Sequence, residues 1–204
     1  MPGILAIVAL AGLLTACAET SPRPEAIPVR ASDFRASEMR QPVVFAQIRF
    51  GPGEYSGEER KSMEQELEGA LLEELNARAL LAKEVRVSVS RGDAERDPGP
   101  ALARARELGA DHAVLAELRV SRGPQVFCQG TRKRFQANAT RWEQTAEVVR
   151  ASDGNVRLRV VPGSILPVLD LDADCDNPRD SRRLTSGEAV ADAVKRILTR
   201  LLSQ

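Results

Sequence analysis

Aromatic residues make up only 3% of this 204-residue chain, and His112 is its single histidine. A core with so few rings must rest on Leu, Val, Ile and Ala, and a hydrophobic share of 43% is enough to build one domain. One histidine excludes a zinc site made of several imidazoles, and a Ser-His-Asp triad would have to converge on His112. An excess of charge is missing too. The 29 basic residues balance 29 acidic ones, which argues against nucleic acid as a main partner. No Walker, dinucleotide or Gly-x-Ser-x-Gly fingerprint is present. Nor is there an apolar run of the about 20 residues that a bilayer-crossing helix needs.

The chain does have a short uncharged start. Residues 1–16 carry no charge, and Ile4 to Leu14 form an apolar run of the length found in secretory signals. Such a segment is removed and takes no part in the fold. Next comes Leu14-Thr15-Ala16-Cys17: a branched residue, two small ones that fit a narrow peptidase cleft, and a thiol able to carry a diacylglycerol. These residues resemble the lipobox of bacterial lipoproteins. The resemblance implies a signal peptide over 1–16, cleavage before Cys17, and an acyl anchor of the palmitate type on that cysteine. Ala18, where Asp would mark inner-membrane retention, implies the outer membrane with the domain facing the periplasm. Met1-Pro2-Gly3 lacks the usual Lys or Arg, as a misassigned start codon would explain; an uncleaved hydrophobic N-terminus with an incidental cysteine is the alternative.

Residues 17–42 read as a lipidated N-terminus and flexible tether. Pro22, Pro24, Pro28 and Pro42, many charges and no sustained period leave it unable to fold alone. Extended, it would reach about 80 Å. A single globular domain is expected over 43–204. Val43 to Phe50 reads as a buried strand closed by Gly51-Pro52-Gly53. Ser56 and Glu59 form a capping box, and Met63, Leu67, Leu71 and Leu75 repeat every four residues, with Ala70 and Leu72 widening the stripe. Val85, Val87 and Val89 alternate with polar residues as in a strand. After a charged loop over 91–100, Ala101 to Leu108 reads as a helix stopped by Gly109, and Ala113 to Val120 as a third strand. Ser121 to Phe135 is polar and basic. Thr140 to Val149 alternates, and Asp153-Gly154 turns the chain into Val156 to Val160. Thr185 and Glu188 then box a last helix carrying Val190, Val194, Ile197, Leu198 and Leu201. The expectation is an α/β (α+β) fold: three helices on a mixed sheet of about five strands, in the order β-α-β-α-β-β-β-α.

At Glu107-Leu108-Gly109-Ala110-Asp111-His112-Ala113-Val114 a helix ends and runs into an apolar strand. With the strand at Val43, the Leu-rich helix and the Asp153-Gly154 hairpin, this resembles the periplasmic domain shared by CsgG-type curli secretion lipoproteins, LpoB-type activators of penicillin-binding proteins and the N-terminal domain of TolB. The likeness spans about residues 43–202. Its branches imply different work. A CsgG-type pore needs membrane-crossing hairpins, and Arg132-Lys133-Arg134 and Arg141 in the only long candidate, 125–149, argue against insertion. The smaller-domain branches imply a module that binds another envelope protein.

Few residues offer chemistry. His112 reads as a structural residue at the mouth of a strand, with a ligand or acid/base role as the alternative. Cys128 and Cys175 remain once Cys17 is lipidated. In an oxidising periplasm they are expected to form a disulfide, worth about 4 kcal/mol of unfolded-chain entropy; two free thiols are the alternative. Asp170, Asp172, Asp174 and Asp176 alternate, but neither calcium-loop register places a carboxylate at its twelfth position, so an exposed acidic loop is the better reading. Arg132-Lys133-Arg134 and Arg182-Arg183 read as solvated surface, or as sites for lipid A phosphates or an acidic partner. Asn138-Ala139-Thr140 matches a glycosylation sequon that has little meaning in a bacterial lipoprotein. No catalytic residue, metal or cofactor is expected. The expected function is that of a non-enzymatic outer-membrane lipoprotein, an assembly or regulatory accessory that binds another cell-envelope protein. A periplasmic carrier or chaperone for a lipid or small amphiphile is the alternative.

Overall fold

Alternating valines and a four-residue leucine stripe fold here into one sheet with helices laid against it. The computed structural model describes residues 29–51, 55–91, 97–128 and 131–203. Residues 1–28, with Leu14, Thr15, Ala16 and Cys17, lie outside the described residues, as do Pro52 and Gly53 of the expected turn. In chain order the elements are β1 (Val29–Arg30), β2 (Val43–Phe50), α1 (Gly57–Ala77), β3 (Glu84–Arg91), α2 (Gly99–Glu107), β4 (His112–Cys128), β5 (Lys133–Arg150), β6 (Val156–Val160), β7 (Val168–Leu169), β8 (Leu171–Asp172), β9 (Arg182–Arg183) and α3 (Ser186–Leu202). The long elements follow the expected order, and the fold is α/β with a mixed sheet. That sheet runs β1-β6-β5-β4-β2-β3 with β7 beside β5, so it has seven strands among the described residues; the two beyond the expected five are the two-residue strands β1 and β7. Strands β2, β3 and β4 are parallel, whereas β4, β5 and β6 are antiparallel.

One face of the sheet is closed by α1 and α3. Period two sends Val114, Ala116, Leu118 and Val120 of β4, with Trp142, Ala146 and Val148 of β5, into this core. Both capping boxes form: the Glu59 amide donates to Ser56 Oγ at 3.1 Å and the Glu188 amide to Thr185 Oγ1 at 3.2 Å. Met63, Leu67, Ala70, Leu71 and Leu75 of α1 are buried, as are the five expected residues of α3. Leu72 departs from its expected place and is 44% exposed. At 100° per residue it stands a further step round the helix from Leu71, outside the stripe. On the opposite face α2 covers only the end where β4 begins, packing Ala101, Leu102 and Ala105 over Val43, Ala113, Leu115 and Val149. Gly109 (φ +62°) ends this helix in the left-handed region, as expected.

The boundary between tether and domain needs correcting. β1 pairs with β6, the Ala31 amide donates to the Arg157 carbonyl at 2.9 Å, and Arg157 pairs with Asp33 at 2.5 Å. Phe34 and Met39 lie in the main core at 0% and 2% exposure, around a short 3-10 turn at Ala36–Glu38. Two bulky side chains without a period can plug the end of a sheet without forming a helix or strand, so pattern reading passes over them. The fold therefore includes residues 29–42, ahead of the expected start at Val43. Between Cys17 and the first described residue, Val29, lie residues 18–28.

Candidate functional site

Beyond the reach of α2, the second face of the sheet is charged. It carries Gln47 and Arg49 of β2, Glu117 and Arg119 of β4, Glu143, Thr145 and Glu147 of β5, and Arg159 of β6, all on the alternate positions from the core residues. The register sets Glu117 between Gln47 and Thr145, Arg119 between Arg49 and Glu143, and Glu147 between Leu115 and Arg159. Arg49 pairs with Glu117 at 2.7 Å, both side chains largely shielded from water; Arg159 pairs with Glu147 at 2.6 Å and Arg141 with Glu143 at 2.8 Å. A groove of about 290 Å³ opens here, lined by Glu117, Arg119, Glu143, Thr145, Glu147 and Arg159, with Val160 to Pro162 at its edge. Charges of alternating sign, fixed across four strands, suit recognition of a complementary surface. The sequence reading did not single out this face. Its signal was there: Glu117, Arg119, Glu143 and Glu147 follow period two through strands read for their apolar half.

The face continues into an arm. Pairing between β2 and β4 ends at Val120, yet β4 runs on to Cys128 and β5 starts at Lys133, the two bonded to each other across a bulge between Gly123 and Gln125. The polar, basic stretch expected over 121–135 is thus mostly extended strand. Ladder bonds between the two strands compensate for weak apolar patterning. One side of the arm has a small core of its own, Val126, Ala139 and Leu171, with Phe135, Ala137, Leu169 and Ala173 against it. The segment from β7 to β9 supplies the covering residues. It is held by the Asp170 amide donating to the Thr140 carbonyl (3.0 Å), by the Thr140 amide donating to the Asp170 carboxylate (2.8 Å), and by a Cys128–Cys175 disulfide with Cα atoms 5.8 Å apart. At the root, Arg122 lies 4.4 Å from the Tyr55 ring centre and pairs with Glu59 at 2.9 Å. Burial pushes the Tyr55 hydroxyl above its ordinary pKa. The other side of the arm is bare: Phe127 is 44% exposed, with the Arg134 guanidinium 5.6 Å from its ring centre.

The remaining sequence-predicted residues fall into separate places. His112 is the first residue of β4, buried edge-on against Phe34 with ring centres 5.7 Å apart, at the far end of the strand from Cys128. Asp170 also meets Arg183 at 3.2 Å, and Asp174 accepts from the amides of Asp176 and Asn177, so these carboxylates act as turn formers and arginine partners. Among the described residues no group of three or more His, Cys, Asp or Glu is arranged to hold a metal ion. Arg132, Lys133 and Arg134 are exposed at the tip of the arm; Arg182 and Arg183 form β9. Among the described residues no helix is long and apolar enough to cross a membrane.

No protein-family model matches the sequence, and no curated protein matches it either. Solved structures do show likenesses. The PelC dodecamer of Paraburkholderia phytofirmans is 13% identical, with 87% of this chain and 96% of that chain covered at a TM-score of 0.42. A putative neuraminyllactose-binding hemagglutinin homolog from Helicobacter pylori is 10% identical, over 85% and 88%, at 0.38. The LpoB C-terminal domain of Salmonella enterica is 12% identical, over 61% and 88%, at 0.25. Identities and scores this low bring no function to this chain.

Proposed function

We propose that the protein is a non-enzymatic lipoprotein of the outer membrane, held there by lipid on Cys17, whose periplasmic domain docks another envelope protein and acts as an assembly or regulatory accessory. The observation that carries this reading is the open sheet face. Ionised groups are costly to shield from water, and the shielded Arg49–Glu117 pair with its charged neighbours gives a rigid pattern of both signs that a partner surface could match. The lipobox at Leu14 to Cys17 supports the compartment, and the Cys128–Cys175 bridge fits an oxidising one. A photo-crosslinking residue at Arg119 should capture one envelope protein in intact cells, and the reversal Glu143→Arg should abolish the capture. The same probe at Asn76, exposed on α1, should capture nothing. Capture that survives the reversal would overturn the reading.

A second reading, a carrier of a lipid or small amphiphile, is favoured by one observation. A groove of about 400 Å³ beside α3 joins the apolar Ile165 and Leu166 to Lys195 and Arg200, with Arg196 paired to Asp192 at 2.8 Å, an apolar wall beside basic side chains of the kind an anionic amphiphile needs. Stoichiometric lipid in native mass spectra of the purified domain would favour it over protein docking.

A further inference from the structure

We infer that the tip of the β4–β5 arm rests on the phosphate headgroups of the membrane that carries Cys17. The inference depends on the lipid anchor proposed above and adds an orientation to it. Strand direction supplies the first step. β4 runs toward the arm, β6 is parallel to it, and β1 is antiparallel to β6. β1 therefore runs away from the arm, and its Val29 end, the one nearer Cys17 in sequence, faces the arm.

Length supplies the second step. Cys17 to Val29 spans at most about 40 Å when fully extended. Val29 lies on the rung of Arg159, Glu147 and Leu115. From Leu115 to Cys128 the arm extends about 40 Å at roughly 3.3 Å per residue. The tip is thus level with the lipidated residue even when residues 18–28 are drawn straight along it, and any slack brings the tip into the headgroups. Charge supplies the third. Arg132, Lys133 and Arg134 are exposed at the tip; Arg134 stands beside the exposed Phe127 on the bare side, whereas Lys133, opposite Cys128, stands on the side that the acidic segment around Asp172 to Asp176 covers. An anionic surface attracts the basic tip and repels the acidic segment, which selects the side that lies down.

The test uses the full-length lipidated protein in vesicles of phosphatidylethanolamine with phosphatidylglycerol, with no other protein present. A fluorescent amino acid is placed at Gln136 near the tip, or at Ser152 beyond the far end of β5, and quenched by headgroup spin-labelled lipid. The expected result is at least twofold stronger quenching at Gln136 than at Ser152, falling to the Ser152 level when Arg132, Lys133 and Arg134 are all changed to Gln. Equal quenching at the two positions in protein that floats with the vesicles overturns the orientation. Strong quenching at Gln136 that the Gln variant leaves unchanged overturns the headgroup contact. Protein that does not float overturns the anchor itself, and this inference with it; flotation of the Cys17→Ser variant alongside separates that failure from the others.

Discussion

His112 and Gln144 show what single side chains contribute in this core. Burial holds the His112 imidazole below its ordinary pKa; Arg150 and Arg157 push the same way, while Asp111 and Glu38 oppose them. The unfolded chain therefore binds this proton more readily than the folded one. The stabilising contribution is present above the unfolded value of about 6.5 and is lost as pH falls below it. Urea midpoints should drop between pH 7 and pH 5, and His112→Leu should flatten that drop; an unchanged slope would rule out a buried neutral imidazole. Asp33, Glu59, Asp153 and Glu188, whose pKa values are lowered chiefly by hydrogen bonds, act in a separate window below about pH 4.5. Gln144 carries the opposite sign. It is 1% exposed on the helix-covered face, and neither end of its amide has a hydrogen-bond partner among the described residues. An unpaired buried amide costs about 1–3 kcal/mol, so Gln144→Met should raise stability by about 1 kcal/mol in urea unfolding. A lower midpoint would show that the amide is bonded in solution. Alternation from Thr140 to Val149 was legible in the sequence; a glutamine on the buried side of that alternation was not, because polarity argues for the other face.

Among elements, the helices were the most legible and the arm the least. Both capping boxes and the apolar stripes of α1 and α3 are local patterns, satisfied within one turn or one helix face. The arm depends instead on partners distant in sequence: Val126 and Ala139 are covered by Leu171, and Cys128 is bonded to Cys175. Only a fraction of its residues are apolar, so periodicity marks the strands strongly up to Val120 and weakly beyond. The charged face escaped for a related reason, since Glu117 and Arg119 stand between core residues in a strand that reads as apolar. So small a core makes the arm depend on its bridge. Replacing Cys128 and Cys175 together with Ser should lower global stability by up to about 4 kcal/mol through the unfolded chain. Locally, amide hydrogen exchange over 121–128 and 133–140 should speed up by tenfold or more, while 113–120, held between β2 and β5, keeps its protection. Protection over 121–128 and 133–140 that the double Ser replacement leaves unchanged would show that the ladder alone holds the arm.

At the scale of the whole molecule, the segment ahead of β2 decides where the domain starts and how far it can stand from a membrane. Prolines and charges outnumber apolar residues over 17–42, the composition of a tether. Packing overrides composition through two side chains: Phe34 and Met39 fill the end of the sheet, and Phe34 lies over His112. With Val29 already in the fold, the reach falls from about 80 Å to at most about 40 Å, the length on which the arm's contact with lipid turns. The boundary can be tested by truncation. A chain beginning at Val29 should unfold at the same urea midpoint as one beginning at Ala18. A chain beginning at Val43 loses β1 and the Phe34 and Met39 side chains, and should be less stable by about 3 kcal/mol or more. It also uncovers His112, whose pKa, followed by NMR titration, should rise toward about 6.5 as water replaces the Phe34 ring. Equal stability of the two truncated chains, with the His112 titration unmoved, would return residues 29–42 to the tether and lengthen its reach again.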